Sequence, residues 1–501
     1  MIPVIEMHHL QHQNNKALII GSGIGGLSMA IILSKLGFDV TVIEKNRQPG
    51  GMLRSYVRRG IHCNVGIHYL GALDKGQVLR RLFDYLGITE KLPLIRMGAH
   101  GPVDRYYFTN AVDGPRQFDM PVGLDAYEAS LKEAFPKEQS AIDGFMAMLR
   151  KSAEALDRLE FLFRNPSPAD LIDQTEPLWD VLDQLGCSPG LKSVLSVPSV
   201  WIGVPPPLCP QFYHTMTLAS YLFSAWRLET HGAHLVKLLV QQLTDLGGRV
   251  ICGQAVRRIN VHGGMTTGLT LENGEQYDAP LVVGTVHPNV VLGLLGSEKI
   301  KPSYRRRITG LQNTDGMFAV NALVSAAAHK PLPHNVFSMK TDTGGTVHDV
   351  IYAQLRPSGR PESLLLTLIT SGHNELWQPW NKTRTGYRGA AYEAAKMTLA
   401  RGLIQKIEPV TGQLKGLKVI DTYTPLSIRD WVNSPNGSAY GVMRSNRQLL
   451  SAALLNRTAI KGLYLAGQSV MAPGILGTIL GSLVTTKFIV GPNRFEKEVQ
   501  L

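Results

Sequence analysis

The sequence predicts an α/β fold, a parallel, doubly wound sheet into which a second, α+β domain is inserted. Three observations predict it. An apolar strand, a glycine-rich turn, a helix and a second apolar strand closed by an acid follow one another within residues 16–44. A similar strand, glycine-rich turn and apolar helix recur at residues 462–490, with a long stretch between the two. The chain has 501 residues, 44% hydrophobic and 18% charged, enough apolar material for two or three cores and too much for a disordered chain.

The first unit begins with Ala17-Leu18-Ile19-Ile20, an apolar run suited to a parallel strand buried on both faces. Gly21-Ser22-Gly23-Ile24-Gly25-Gly26 follows, then a helical stretch ending at Gly37, then Phe38 to Ile43 and Glu44. This is the Rossmann-type dinucleotide fingerprint complete with both strands. Gly21 permits the tight turn, Gly23 lets backbone approach a pyrophosphate, and Gly26 lets the helix pack closely on its strand. The helix N-terminus offers unpaired N–H groups to phosphate. Glu44 suits a ribose diol, and its charge disfavours a 2′-phosphate, which argues against NADP. Ile24, Gly25 and Lys45 complete this part of the candidate set.

Residues 231–248 put Leu235, Leu238, Leu239, Leu243 and Leu246 on one helical face, stopped by Gly247-Gly248. Strands are expected at Arg249–Cys252, Val256–Ile259 and Leu269–Leu271, then a hairpin at Asn273-Gly274 and a buried strand over 281–284. The last unit is a strand through Gly462 to Gly467-Gln468, then a turn and helix from Pro473-Gly474-Ile475 onward. Residues 462–486 carry no charge, but Pro473, Gln468 and the glycines speak for strand, turn and helix rather than a membrane span. The uncharged stretch 193–226 is broken by Pro205, Pro206, Pro207 and Pro210, leaving one short apolar helix after them, suited to a membrane surface or a greasy substrate entrance.

The segment Arg47-Gln48-Pro49-Gly50-Gly51-Met52-Leu53-Arg54-Ser55 resembles the extension found in FAD-binding oxidoreductases of the amine oxidase and phytoene desaturase superfamily. The resemblance implies a GR2-like flavoprotein with FAD as cofactor, the Gly50-Gly51 pair beside its pyrophosphate. Met52 stands where relatives carry a basic residue, and Arg54 follows two positions later; which arginine meets phosphate stays open. By the same resemblance, the Val256 backbone contacts adenine. The N-terminal amides of the last helix face the flavin, and Gln468 takes the place of an aspartate that binds ribityl hydroxyls. The Gly467-Gln468 version is similar to the retinol saturase and carotenoid isomerase branches. So are the strings Asn64–Gly71, Thr424–Trp431 and Ser434–Gly441.

That branch implies chemistry on C=C bonds of a conjugated polyene or isoprenoid: saturation or reductive cyclisation first, desaturation or cis–trans isomerisation as alternatives. The cofactor domain is expected over residues 1–104, 231–304 and 456–501, and the substrate domain over 105–230 and 305–455. Only one strand–GxGxxG–helix unit occurs, so electrons are expected to travel through a diffusible donor or acceptor. Candidates for proton transfer are His68, Tyr69, Asp430 and Tyr440, and Arg429 for an anionic head group; a purely structural role competes for each. A flavin amine oxidase is the runner-up enzyme. A prenyl-protein-binding relative of the same fold is the non-enzyme alternative, against which Glu44, Gly50-Gly51 and Pro473-Gly474 argue.

The formal charge of +12 and pI near 9.4 favour anionic partners such as a phosphate-bearing cofactor or an acidic membrane surface. The densest basic cluster, Arg305-Arg306-Arg307, is too short to point to nucleic acid. Four cysteines without C-x-x-C spacing exclude a disulfide framework or a thiolate zinc site. His8-His9 lies in a polar tail and no metal is expected. With no signal-peptide pattern at the N-terminus, a cytoplasmic setting is expected, with peripheral membrane contact open.

Overall fold

A computed structural model describes residues 15–111, 113–163, 174–296, 300–453 and 455–501; the His8-His9 pair lies outside them. The fold is mixed α/β. Five parallel strands form the central sheet in the order Arg249–Cys252, Asp39–Glu44, Lys16–Ile20, Leu281–Gly284 and Leu463–Leu465. Ile20 pairs with Ile43 on one side and Gly284 on the other, so the strands end together at the glycine turn.

The helix Ile24–Lys35 leaves that turn. Gly25 through Leu33 are all buried, because sheet, C-terminal helix and helix Gly232–Asp245 enclose it on every side. Gly37 takes the left-handed conformation that ends it (φ +83°), and the next strand begins at Asp39, one residue later than the apolar run suggests. Val256–His262, Met265–Leu271 and Gln276–Asp278 form a small antiparallel sheet, its last hairpin turning at Gly274 (φ +90°). The first two strands run longer than their apolar cores because alternate residues face water.

A seven-stranded mixed sheet is the element least visible in the sequence. Its order is Lys418–Tyr423, Met317–Ser325, Ser363–Ser371, Val347–Pro357, Asn335–Thr341, Asp104–Phe108 and Gln117–Met120. Asn335–Thr341 pairs in parallel with Asp104–Phe108, joining two distant stretches of chain. One face packs Phe318, Val320 and Leu366 against Trp377 and helix Gly389–Thr411. The other presents Phe337, Tyr352 and Ile369 toward helix Gln211–Phe223 and the dinucleotide unit. The short apolar helix expected after the prolines is this one, with Pro210 at its N-cap. Among the described residues no helix is long and apolar enough to cross a membrane, and all four cysteines are free.

Candidate active site

Three glycine-bearing segments meet at the N-terminus of helix Ile24–Lys35. A Cβ on Gly26 would lie 1.9 Å from the Gly21 carbonyl oxygen, on Gly51 3.0 Å from Gly23 Cα, and on Gly25 2.8 Å from Gly467 Cα. Backbone therefore touches backbone where side chains would stand. No side chain caps the helix and its first turn holds no acid, so its N–H groups stay available to an anion. A dinucleotide pyrophosphate fits this cradle.

The surrounding polar groups fit as well. Glu44 is 6% exposed. Its Oε2 accepts from Ser22 N (3.1 Å) and Ser22 Oγ (2.6 Å), and its Oε1 from Asn46 N (2.9 Å) and Asn46 Nδ2 (2.7 Å). A ribose hydroxyl would share Oε1 with the Asn46 side chain. The Gln254 amide donates to the Glu44 carbonyl, which carries Val256 alongside. Arg54 donates from Nε to Gly51 O (3.0 Å) and from Nη2 to Trp431 O (3.0 Å), beside the glycine pair. Ser55 Oγ lies 3.1 Å from His231 Nδ1, and the Met52 side chain packs under Gly66. Lys45 Nζ reaches Asp430 O (2.8 Å), and burial lowers its pKa against the opposing charge of Glu44.

A cavity of about 1380 Å³ lies among the C-terminal turn and helix, the seven-stranded sheet and helix Gln211–Phe223. Pro473, Gly474, Ile475 and Gly477 of the C-terminal turn and helix line one part; Tyr352 of the seven-stranded sheet, with His68 and Tyr69, lines another; Trp201, Tyr213, Tyr221 and Phe212 supply the helical side. Its surface is chiefly apolar and aromatic, and it exceeds the usual volume of a small-molecule pocket. Gly474 takes φ +77°, which lets the chain turn into the helix Gly474–Val490. Ser482 Oγ bonds Gly25 O (3.1 Å) and Ser28 Oγ (3.2 Å), locking this helix to the dinucleotide helix. Gln468 Nε2 donates to Ala439 O at 3.3 Å.

The five proton-transfer and head-group candidates separate into two sets. His68, Tyr69 and Tyr440 line the cavity; Arg429 and Asp430 do not. Asp430 bonds Arg429 Nε (2.8 Å), Arg388 Nη2, and Thr385 N (2.7 Å) and Oγ1 (2.9 Å). Burial pushes its carboxyl up, but the bonds from Arg429 and Thr385 and the charge of Arg388 outweigh it, leaving the pKa below the usual value. Arg429 also holds the carbonyls of Asn381 and Thr383. Outside the cavity lining, this pair clamps neighbouring segments together.

His68 is neutral at physiological pH. Burial, assisted by the charge of Arg356, brings it down to about 3 against a hydrogen bond to the Val65 backbone. Its Nε2 is sealed from solvent without a partner. Tyr69 Oη donates to Asp104 Oδ2 (3.1 Å). Burial raises the Tyr69 and Tyr440 phenols far above their ordinary value.

Two groups escaped the sequence reading. Arg444 is 3% exposed, donates to the carbonyls of Ala452 and Ser469, and borders the cavity. Asp104 is fully buried beside Tyr69. A signal for it existed: in Asp-Arg-Tyr-Tyr-Phe the acid shares strand alternation with the inward Tyr106 and Phe108.

Comparison with known proteins agrees with this geometry. Residues 24–481 match the family described as flavin containing amine oxidoreductase. The all-trans-retinol 13,14-reductase of Rattus norvegicus is 25% identical over 529 residues, covering 96% of this chain and 86% of that protein. The all-trans-zeta-carotene desaturase of Myxococcus xanthus is 23% identical over 509 residues, covering 93% and 91%. Among solved structures, an oxidoreductase from Methanosarcina mazei superposes with a TM-score of 0.64 at 14% identity, covering 94% of this chain and 100% of that one. That last likeness concerns the fold.

Proposed function

Since the chain belongs to the flavin containing amine oxidoreductase family and is an FAD-dependent oxidoreductase, we propose that it reduces C=C bonds of a hydrophobic conjugated polyene or isoprenoid. The observation that carries this reading is the large, mainly apolar and aromatic cavity lined in part by Pro473 and Gly474. Its volume and apolar walls suit a large substrate with few polar groups, and the similarity to a retinol reductase over nearly the whole chain supports the same substrate class. The cofactor-holding residues in this reading are Gly21, Gly23, Ile24, Gly25, Gly26, Glu44, Lys45, Gly50, Gly51, Met52, Arg54, Ser55, Val256, Gly467, Gln468, Pro473, Gly474 and Ile475.

FAD supplies hydride transfer when bound. The protein's own residues bind, orient and exclude water. Trp201, Tyr221 and Phe337 form a contiguous aromatic wall, with ring centroids 5.0 Å (Trp201–Tyr221) and 6.2 Å (Trp201–Phe337) apart. Such a wall holds a flat conjugated chain by stacking and keeps water from its carbons. Neutral His68 has no proton to spare at Nε2. Tyr69 and Tyr440 keep their protons at neutral pH and are among the cavity-lining hydroxyls able to donate. A diffusible donor recharges the flavin.

The test is anaerobic. Holoenzyme is reduced with dithionite, freed of excess reductant and mixed with all-trans-retinol. Return of the flavin band near about 450 nm, together with a shortened polyene chromophore, is the expected result. A flavin that stays reduced while the polyene spectrum shifts means isomerisation instead. Flavin bleaching in oxidised enzyme given zeta-carotene means desaturation, the reading favoured by the likeness to the Myxococcus xanthus enzyme.

A further inference from the structure

We propose that Asp104 and Tyr69 deliver a proton into the cavity, the Tyr69 hydroxyl protonating a carbon of the bound polyene while Asp104 restores the proton to Tyr69. The inference rests on the reductive reading above and adds the origin of the proton to it. Tyr69 is the catalytic residue of the pair and Asp104 the positioning and recharging one.

The hydrogen bonds around Asp104 sort its two oxygens. The Asn335 carbonyl Oδ1 accepts from Arg227 Nη2 (2.9 Å), Tyr352 Oη (3.0 Å) and Gln354 Nε2 (3.4 Å). Arg227 can only donate, and this fixes which way the amide faces. Its Nδ2 must then donate to Asp104 Oδ1, at 2.7 Å. That carboxyl oxygen is an acceptor only. A proton on Asp104 therefore sits on Oδ2, 3.1 Å from Tyr69 Oη. When Asp104 is ionised, Tyr69 turns its O–H back to the carboxylate. When Asp104 is protonated, its O–H donates to the Tyr69 oxygen, and the phenol O–H is released toward the cavity that Tyr69 lines.

The step balances. One carbon of the double bond receives hydride, with its electron pair, from the reduced flavin, which is the reductant. The π electrons at the other carbon form a C–H bond with the Tyr69 proton as the O–H bond breaks. The Asp104 proton passes to Tyr69 Oη and leaves a carboxylate; once the product departs, Tyr69 returns a proton to Asp104 along the same hydrogen bond and takes its own from water in the cavity. The groups facing Asp104 allow this. Tyr106 on its own strand, Tyr221 on helix Gln211–Phe223 and Tyr352 on strand Val347–Pro357 are all held neutral, their pKa raised by burial. Arg227 on strand Ala225–Leu228 is the permanent charge. Burial lifts Asp104 to about 7, against the bonds from Asn335 and Tyr69 and the charge of Arg227. The pair thus switches across neutral pH.

Infrared difference spectra of the holoenzyme from pH 5 to 9 test the carboxyl directly. The expected result is a protonated-carboxyl C=O band that vanishes with a midpoint near 7 in the wild type and is missing in Asp104→Asn. The second measurement is reoxidation of prereduced enzyme by all-trans-retinol in deuterium oxide. Wild type is expected to fix two non-exchangeable deuteriums in the product, one by way of the solvent-exchangeable flavin N–H and one by way of Tyr69, and to slow about tenfold per pH unit above 7. Asp104→Asn keeps both hydrogen bonds but cannot pass a proton; it is expected to slow about 100-fold or more and lose the pH inflection. Tyr69→Phe gives a similar loss, and serves alone should the first variant not fold. A wild type without the band, or a folded variant matching wild type in rate and pH profile, overturns the relay alone. Wild type that leaves the flavin reduced at every pH overturns the reductive reading and the relay with it.

Discussion

Replacing Gly25 by Ala probes the junction on which the cofactor cradle depends. The added Cβ would stand 2.8 Å from Gly467 Cα, 3.1 Å from Thr478 Cγ2 and 3.3 Å from Gly467 N. Carbon atoms settle at about 3.5–4.0 Å, so the two glycine turns must part by roughly 1 Å. Two of the three obstacles are backbone, which cannot swing aside as a side chain would. Overpacking of this kind costs about 1–3 kcal/mol. Carried into binding, that is an affinity for FAD weaker by about 5- to 150-fold. The assay is titration of deflavinated protein with FAD, followed by flavin fluorescence quenching, with melting temperatures taken with and without FAD. Gly402→Ala is the control, since its Cβ would meet nothing within 4 Å inside helix Gly389–Thr411. It should gain about 0.5–1 kcal/mol and bind FAD normally. Gly25→Ala protein that binds FAD as tightly as wild type and melts at the same temperature would refute the reasoning.

Stability should respond to pH from both sides. Asp104 rises from 3.8 to about 7 on folding, so its contribution is full below about pH 4 and lost as pH climbs through 7. The loss is about 4 kcal/mol, and the advantage of Asp104→Asn over wild type in urea unfolding should grow by that amount between pH 4 and 8; a constant difference would count against it. His68, His214 and His287 are depressed by burial to about 3, 4 and 4. Their contribution is present above about pH 6.5 and drains as pH falls toward 4, at about 1.4 kcal/mol per pH unit for each. Asp430→Ala leaves Arg388, with 5% of its side chain exposed, without its carboxylate. It should lose about 3–5 kcal/mol of stability, while enzyme kept cold and folded still reoxidises normally with polyene. Loss of that reaction in folded protein would give Asp430 a chemical role.

What the sequence revealed depends on how local each signal was. Residues 16–44 carry strand, turn, helix and acid inside one short window, and each part has a residue-level reason to be there. The C-terminal strand and helix were legible for the same reason. The seven-stranded sheet was not, because its strands pair across long separations: Asn335 lies beside Asp104 with 231 residues of separation. Its strands Met317–Ser325 and Ser363–Ser371 are buried over nearly their full length, so they lack the polar–apolar alternation that marks a strand. Site chemistry followed the same rule. Family-like strings drew attention to Arg429 and Asp430, yet Arg388 and Thr385, distant in sequence, tie up the Asp430 carboxylate. Asp104 draws its meaning from Tyr69, Asn335 and Arg227, three segments no window could join.

The order of strands in the central sheet also bears on how the protein is made. Lys16–Ile20 and Asp39–Glu44 are synthesised well before Leu463–Leu465 and the helix that seals Gly25. At about 5–20 residues per second, the first βαβ unit waits roughly 20–80 seconds for its edge strand and for one wall of its cradle. Nascent chains are thus exposed for that interval with a helix that is apolar on every face. Cofactor loading becomes a late event, and its completion is a natural checkpoint for whether synthesis has run to the end of the fold.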